Sequence, residues 1–179
     1  MNKIFLIGFM GSGKSTIGRL LAAQLDWKFI DLDERIVAHE QMSIEQIFAT
    51  HGEPYFRALE FRLLEHLSAH DNVVIALGAG TPTQDAVWQI LRHGVVIYLR
   101  CHPEELYRRL KDDLQRPMLG HMPPYERLLH IKTLLSLREP FYRRADFTVD
   151  SFAEHPPSET AAIVAQLIRE SLLDKSATL

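Results

Sequence analysis

The chain has 179 residues and a formal net charge of −3, and its 46% hydrophobic and 24% charged residues are ordinary for a globular protein. The length predicts a single domain over residues 1–179, and no segment approaches the ~20 apolar residues that cross a bilayer. The net charge excludes a general attraction for nucleic acid, so a bound anion needs a local site.

Short apolar runs alternate with helical patterns along the chain. The runs are continuous, which is typical of strands that are covered on both faces. This order favours a parallel sheet with helices on both sides. We predict strands at 3–7, 28–31, 72–77, 95–99 and 147–149, and helices at 14–25, 44–50, 54–69, 83–92, 103–110, 125–138 and 158–173.

The segment GFMGSGKS, residues 8–15, joins the first predicted strand to a helical run. Gly8, Gly13, Lys14 and Ser15 match G-x-x-x-x-G-K-[ST], the phosphate-binding P-loop pattern. The glycines let backbone N–H groups surround phosphate oxygens, and the helix N-terminus adds partial positive charge. We expect Lys14 to reach the β- and γ-phosphates and Ser15 to ligate Mg²⁺. The motif predicts ATP or GTP with Mg²⁺ but does not identify an acceptor.

Two carboxylates follow in FIDLDE, at Asp31 and Asp33. At positions i and i+2 of a strand they would point to one face, at the strand end where α/β proteins bind ligands. One could organise Mg²⁺ through water, and the other could accept a hydrogen bond or a proton from a substrate hydroxyl. The alternative is that they only begin the next helix, where aspartate is a favoured cap.

Two arginines are candidates for binding a carboxylate. Arg57 precedes Glu60 by one helical turn, and Glu60 could orient its guanidinium toward a substrate carboxylate; the alternative is a solvated ion pair. Arg138 stands at the end of a predicted helix that Pro140 stops, where a cation also favours the helix dipole.

A glycine segment and a long polar loop complete the pattern. Gly78, Ala79 and Gly80 end a buried strand, where glycines allow close approach of a ligand. Residues 111–126 are polar and rich in proline and glycine, which predicts a lid whose Arg116 could move onto the transferring phosphoryl group. Residues 174–179 are predicted to be a frayed tail.

Taken together, these segments resemble the shikimate kinase family from residue 2 to about residue 150. The most specific features are GFMGSGKSTIG, FIDLDE, SIEQIFATHGEPYFRALE, the lid segment RPML, and REPFYRRAD. The resemblance implies a small cytoplasmic P-loop kinase with a three-layer α/β/α fold, a central five-stranded parallel sheet and a flexible lid. It also implies Mg²⁺-dependent transfer of the ATP γ-phosphate to the 3-hydroxyl of shikimate, a step of aromatic amino acid biosynthesis.

The resemblance also implies a role for each matching residue. The implied catalytic residues are Lys14, Asp33 and Arg116. The implied ATP ligands are Gly11, Ser12, Gly13, Lys14, Ser15, Thr16 and Arg116, and the implied Mg²⁺ ligands are Ser15 and Asp31. The implied shikimate ligands are Asp33, Arg57, Gly78, Ala79, Gly80 and Arg138, with the two arginines on the carboxylate. Arg108 or Arg109 would lie near the adenine.

One departure and two alternative functions stay open. The family has three glycines where this chain has Gly78, Ala79 and Gly80. A methyl group at the middle position costs little if φ there is negative, but it interferes if φ is positive or if the ligand packs on that α-carbon. The alternatives are a kinase for another small hydroxy acid, such as gluconate, and a module that binds nucleotide without transferring phosphate.

Compartment and assembly follow from simpler features. The first apolar residues run into the glycine loop rather than to a cleavage site, so we expect no export signal. Cys101 is the only cysteine, which excludes an intrachain disulfide and fits the cytoplasm. No exposed apolar stripe is evident in the sequence, so we expect a monomer.

Overall fold

The computed structural model describes residues 2–110, 123–152 and 155–176. Its centre is a five-stranded parallel sheet with the strand order β2-β3-β1-β4-β5. The strands are β1 (Lys3–Ile7), β2 (Lys28–Asp31), β3 (Val73–Ala76), β4 (Val95–Arg100) and β5 (Phe147–Asp150). The predicted strands are confirmed, and their ends differ from the prediction by at most one residue.

Helices cover both faces of the sheet. They are α1 (Lys14–Leu25), α2 (Leu32–Glu40), α3 (Ile44–Leu67), α4 (Val87–Leu91), α5 (Pro103–Leu110), α6 (Pro124–Tyr142) and α7 (Pro157–Ser176). Side chains alternate along β1, so Ile4 and Leu6 pack in the core formed with α1 and α7, whereas Phe5 and Ile7 pack in the core on the opposite face. The predicted three-layer α/β/α fold is confirmed.

Helix α2 is absent from the prediction, and it changes the place of one candidate residue. Asp31 ends β2 and is also the N-cap of α2, since its side chain accepts hydrogen bonds from the backbone N–H groups of Asp33 and Glu34. Asp33 therefore lies in the first turn of a helix. The prediction that Asp31 and Asp33 share one face of a strand is wrong, because the chain passes from strand to helix without a linker.

The two helices predicted at 44–50 and 54–69 lie within α3, where a kink with non-helical backbone at Gly52 separates two helical parts, so the predicted division is confirmed. Ser43 and Gln46 form a capping box at the start of α3. Gly52 interrupts the helical backbone with a φ of 79°, and Pro54 follows it. The segment predicted as a helix at 83–92 is a 3₁₀ turn, Thr81–Thr83, followed by the short helix α4.

The predicted end of α6 is wrong, because the helix continues past Pro140 to Tyr142. Proline removes one backbone donor, but the N–H of Arg143 still donates to the carbonyl of Glu139 at 2.9 Å. Tyr142 is fully buried, and its packing keeps this last turn in place. Arg138 therefore lies inside the helix, one turn before its end.

The remaining differences concern the lid and the tail. Residues 124–126 of the predicted lid form the first turn of α6, and 111–122, which include Arg116, lie outside the described residues. Helix α7 continues to Ser176, so the prediction of a frayed tail is wrong for residues 174–176. Within the ranges that the structure describes, no helix is both long enough and apolar enough to cross a membrane.

Candidate active site

A cavity of about 1120 Å³ runs along the carboxyl ends of the strands, from the glycine-rich loop after β1 to the segment after β3. This is the edge of a parallel sheet at which α/β proteins bind ligands. The predicted site residues that line it are Gly11, Gly13, Lys14, Ser15, Thr16, Asp31, Asp33, Arg57, Gly78, Ala79, Gly80 and Arg138. One continuous cavity therefore contains both the phosphate-binding and the acceptor-binding candidates.

The loop between β1 and α1 has the backbone of an anion cradle. Gly13 caps α1 with a φ of 94° and, lacking a side chain, makes no capping hydrogen bond to the first N–H groups of the helix. A β-carbon on Gly8, where φ is 143°, would lie 2.6 Å from the carbonyl oxygen of Leu99. Only glycine fits there, because the loop passes directly over β4. The open N–H groups and the helix dipole fit a bound phosphate.

Lys14 folds back over this loop. Its Nζ donates hydrogen bonds to the carbonyl oxygens of Gly8 at 2.9 Å and Phe9 at 2.8 Å, which hold the ammonium group at the cavity. Ser12 does not line the cavity: its side chain is fully buried, and its N–H donates to the Phe9 carbonyl. Ser12 thus shapes the loop rather than presenting a side chain to a ligand.

Ser15 and Asp31 meet across the floor of the cavity. The Ser15 hydroxyl donates to Asp31 Oδ2 at 2.6 Å, while Asp31 Oδ1 accepts from the N–H groups of Asp33 and Glu34. Asp31 therefore both caps α2 and lies beside the phosphate loop. A hydroxyl and a carboxylate oxygen beside an anion cradle are the hard ligands that Mg²⁺ prefers, so these residues fit the predicted ion.

Asp33 and Glu60 approach each other at Gly78. The point that a β-carbon on Gly78 would occupy lies 2.8 Å from Asp33 Oδ1 and 2.9 Å from Glu60 Oε1. A side chain here would displace one of the two carboxylates. The side chains that approach from α2 and α3 are therefore enough to require glycine at position 78.

Glu60 is fully buried and satisfied by hydrogen bonds. It accepts from Arg57 Nη1 at 2.8 Å, from Gln84 Nε2 at 2.9 Å and from the hydroxyl of Thr81. The alternative of a solvated ion pair between Arg57 and Glu60 is excluded, because a buried carboxylate with three donors holds the guanidinium in one orientation.

The Arg57 guanidinium rests against the glycine segment. A β-carbon on Gly80 would lie 2.6 Å from Arg57 Nη2. Burial lowers the pKa of Arg57, but the opposing charges and hydrogen bonds of Glu60 and Glu53 raise it by more. Arg57 is therefore a fixed positive charge on the wall of the cavity.

Arg138 supplies a second positive charge to the cavity. Its guanidinium carbon lies 5.6 Å from the centroid of the Phe9 ring. Its Nη1 is buried and has no hydrogen-bond partner within the described part of the chain. A buried donor of this kind costs free energy unless a ligand satisfies it, and a carboxylate would do so.

Ala79 has an ordinary backbone conformation. The non-glycine residues with positive φ in the described ranges are Asp26, Gln41 and Asn72, so Ala79 is not in the left-handed region. Its methyl group therefore causes no backbone strain. The hydroxyl of Tyr142 donates to the Ala79 carbonyl at 2.6 Å, a contact that the sequence analysis did not anticipate.

At the other end of the cavity, Arg109 donates to the Gly11 carbonyl at 3.2 Å and to the Ser151 hydroxyl at 3.1 Å. Arg108 and Phe152 line the same end.

Sequence reasoning missed the apolar wall of the cavity, because its side chains follow the pattern of ordinary core residues. These are Met10, Val37, Ile44, Phe48 and Phe56.

Comparison with known proteins places this geometry in a family. A family model described as shikimate kinase matches residues 10–170. This chain belongs to the shikimate kinase family. A shikimate kinase of Caldicellulosiruptor saccharolyticus is 39% identical over 166 residues, which cover 92% of this chain and 95% of that relative.

Solved structures of the family share the fold. Shikimate kinase from Acinetobacter baumannii, in complex with shikimate, matches with a TM-score of 0.88 and 33% identity over 96% of this chain and 94% of that one. Shikimate kinase from Bacteroides thetaiotaomicron matches with a TM-score of 0.88 and 32% identity over 93% of this chain and 98% of that one. The predicted family, fold and enzyme class are confirmed.

Proposed function

We propose that this chain transfers the γ-phosphate of ATP to the 3-hydroxyl of shikimate. The observation that carries the proposal is one cavity that contains a phosphate loop, Asp33 and two cationic side chains, Arg57 and Arg138. Two guanidinium groups suit a small acceptor that carries a carboxylate, because arginine offers a two-pronged match to that group. Membership of the shikimate kinase family supports the same acceptor.

At the nucleotide end, the loop amides and Lys14 bind the phosphates, and Ser15 and Asp31 hold Mg²⁺. The ion, when bound, neutralises charge on the phosphate oxygens. Gly11, Gly13 and Thr16 contribute backbone N–H groups or polar atoms around the phosphates, and Arg108 or Arg109 contacts the adenine. Arg116 is proposed to approach the transferring group.

At the acceptor end, Arg57 and Arg138 bind the carboxylate of shikimate, and the segment from Gly78 to Gly80 closes against its ring. Asp33 orients the 3-hydroxyl and accepts its proton as the hydroxyl oxygen bonds to the γ-phosphorus. The bond from that phosphorus to the β,γ-bridging oxygen breaks, so ADP leaves with the electron pair. Positioning and charge stabilisation supply most of the catalysis in such a transfer.

The test is ADP release from Mg²⁺-ATP with shikimate, with gluconate and without acceptor, with Lys14→Ala as the blank. We expect release that depends on shikimate. ADP release with gluconate but not with shikimate would make gluconate the acceptor. Nucleotide binding without any acceptor-dependent ADP release would indicate a module that binds nucleotide without transferring phosphate.

The remaining features are proposed with the same function. We propose a single-domain cytoplasmic enzyme that acts as a monomer. Helix α6 exposes Tyr125, Leu129 and Leu137, spaced four and eight residues apart, so the expectation that no apolar stripe is exposed is wrong for this surface, and the monomer stays a proposal. Light scattering over a range of protein concentrations tests the monomer, and a mass that doubles would contradict it.

A further inference from the structure

Tyr142 lies one helical turn after Arg138 on α6, and its hydroxyl reaches the segment that follows β3. The hydroxyl donates to the Ala79 carbonyl at 2.6 Å, and the side chain is fully buried. We propose that Tyr142 is a positioning residue that fixes the acceptor half of the cavity. This inference rests on the proposed function, which assigns no role to Tyr142.

The hydrogen bond fixes the peptide plane between Ala79 and Gly80. None of the described peptide bonds is cis, so the N–H of Gly80 points away from the carbonyl that Tyr142 holds. Both residues line the cavity, and Arg57 rests against Gly80. A rotation of this peptide would change the amide that the acceptor meets and the surface against which Arg57 lies.

The phenol of Tyr142 remains a hydrogen-bond donor at neutral pH. Burial raises its pKa, and the charge of Arg138, one turn earlier on α6, opposes that rise without cancelling it. The hydroxyl therefore stays protonated and donates to the Ala79 carbonyl. Tyr142 and Arg138 are four residues apart and share one side of α6, so this hydrogen bond joins the glycine segment to the helix that carries the second carboxylate-binding arginine.

A neighbouring tyrosine holds the ring of Tyr142 and provides a matched control. The Tyr98 and Tyr142 rings lie 5.1 Å apart between centroids, at an interplanar angle of 36°. The Tyr98 hydroxyl donates to Glu139 Oε2 at 2.6 Å, a hydrogen bond as short as that of Tyr142. Tyr98 is not among the described residues that line the cavity. Tyr98→Phe therefore removes a comparable hydroxyl but keeps the ring that packs on Tyr142, and it leaves the hydrogen bond to Ala79 in place.

The experiment measures kcat and both Michaelis constants for the wild type, Tyr142→Phe and Tyr98→Phe, together with the melting temperature of each. For Tyr142→Phe we expect the KM for shikimate to rise by up to about tenfold, because the acceptor must then order the released peptide between Ala79 and Gly80 at a cost of up to one hydrogen bond of ordinary strength. The KM for ATP should stay within about twofold, since the hydrogen bond and the ring contact of Tyr142 go to Ala79 and Tyr98 rather than to the phosphate loop. Tyr98→Phe should lower the melting temperature comparably and leave both constants within about twofold.

Three results would overturn the inference. The first is a KM for shikimate that Tyr142→Phe leaves unchanged. The second is an equal rise of both Michaelis constants, and the third is an equal effect of Tyr98→Phe; either of these would make the role of Tyr142 purely structural. If Tyr142→Phe is not recovered folded, Tyr142→His is the second variant, because it keeps a buried ring but its shorter side chain moves the donor away from the Ala79 carbonyl; a KM for shikimate equal to that of the wild type would contradict the inference. A wild type without shikimate-dependent ADP release would contradict the proposed function itself and this inference with it.

Discussion

The hydroxyl of Ser15 donates to Asp31 Oδ2 at 2.6 Å, which joins the first turn of α1 to the end of β2. The other carboxylate oxygen caps α2. Asp31→Asn keeps an oxygen for the cap, because asparagine is as good an N-cap as aspartate, but it removes the charge beside Ser15. We expect the Mg²⁺ concentration for half-maximal rate to rise about 10-fold to 100-fold, with little change in melting temperature.

The measurement is initial rate against free Mg²⁺ at saturating ATP and shikimate. Asp31→Ala is the comparison, since it removes the cap as well and should cost about 1 kcal/mol in the free energy of unfolding. An Asp31→Asn enzyme with the Mg²⁺ dependence of the wild type would remove Asp31 from the metal site.

Arg57→Ala should lower kcat/KM for the acceptor and leave the binding of nucleotide unchanged. Arg57 is fixed by the buried carboxylate of Glu60 and faces the cavity. We expect a cost on the order of 2–5 kcal/mol in kcat/KM for shikimate, because a charged partner of a desolvated carboxylate is lost, and a nearly unchanged affinity for ATP. Steady-state kinetics and nucleotide titration measure the two effects.

Arg62→Ala is the matched control for Arg57→Ala. Arg62 is exposed on the same helix and is not among the described residues that line the cavity. Removal of the Arg62 side chain should leave kcat/KM for shikimate and the affinity for ATP unchanged. Equal loss of ATP binding in Arg57→Ala would show that this arginine does not serve the acceptor.

Local signals predicted the sheet and the phosphate loop because the necessary information lies within a few consecutive residues. Buried parallel strands are continuous apolar runs, and Gly13, Lys14 and Ser15 stand at a spacing that few other structures require. Local patterns made Arg57, Arg138 and Asp33 candidates but left a structural alternative open for each, and the family resemblance assigned their roles. The structure then shows how Glu60 orients Arg57, and this contact joins two residues one helical turn apart.

The remaining features depend on contacts between distant segments. Helix α6 continues past Pro140 because Tyr142 is buried and its hydroxyl donates a hydrogen bond to the Ala79 carbonyl. No local pattern around Tyr142 indicates that Ala79 is its partner. Asp31 both ends β2 and caps α2, which begins at Leu32, so the strand pattern of the preceding residues was wrongly extended to Asp33. In both places tertiary packing or capping decides the local structure, and local propensity does not.

Ala79→Gly tests whether the methyl group matters to the acceptor. Ala79 has no positive φ, so glycine relieves no strain and only adds conformational freedom to the unfolded chain. We expect the free energy of unfolding to fall by about 0.4–1 kcal/mol, and the KM for shikimate to stay within twofold or to rise as the Tyr142 hydrogen bond loosens. Denaturant titration and steady-state kinetics measure these values. A KM that falls severalfold would show that the methyl group obstructs the acceptor.

Glu105 gives a pH-dependent prediction at the nucleotide end. Hydrogen bonds from Arg108 and Arg109 lower its pKa, although burial opposes them. A carboxyl group whose pKa is lower in the folded than in the unfolded state stabilises the fold above its unfolded pKa, about 4.3 for glutamate. It loses that contribution as pH falls through the folded pKa.

We therefore expect the difference in the free energy of unfolding between the wild type and Glu105→Gln to be constant at pH 6–7 and to shrink below about pH 4.5. Denaturant unfolding of both proteins at several pH values measures it, with Glu65→Gln as an exposed control. A difference independent of pH down to about pH 3 would show that the charge of Glu105 does not support Arg108 and Arg109.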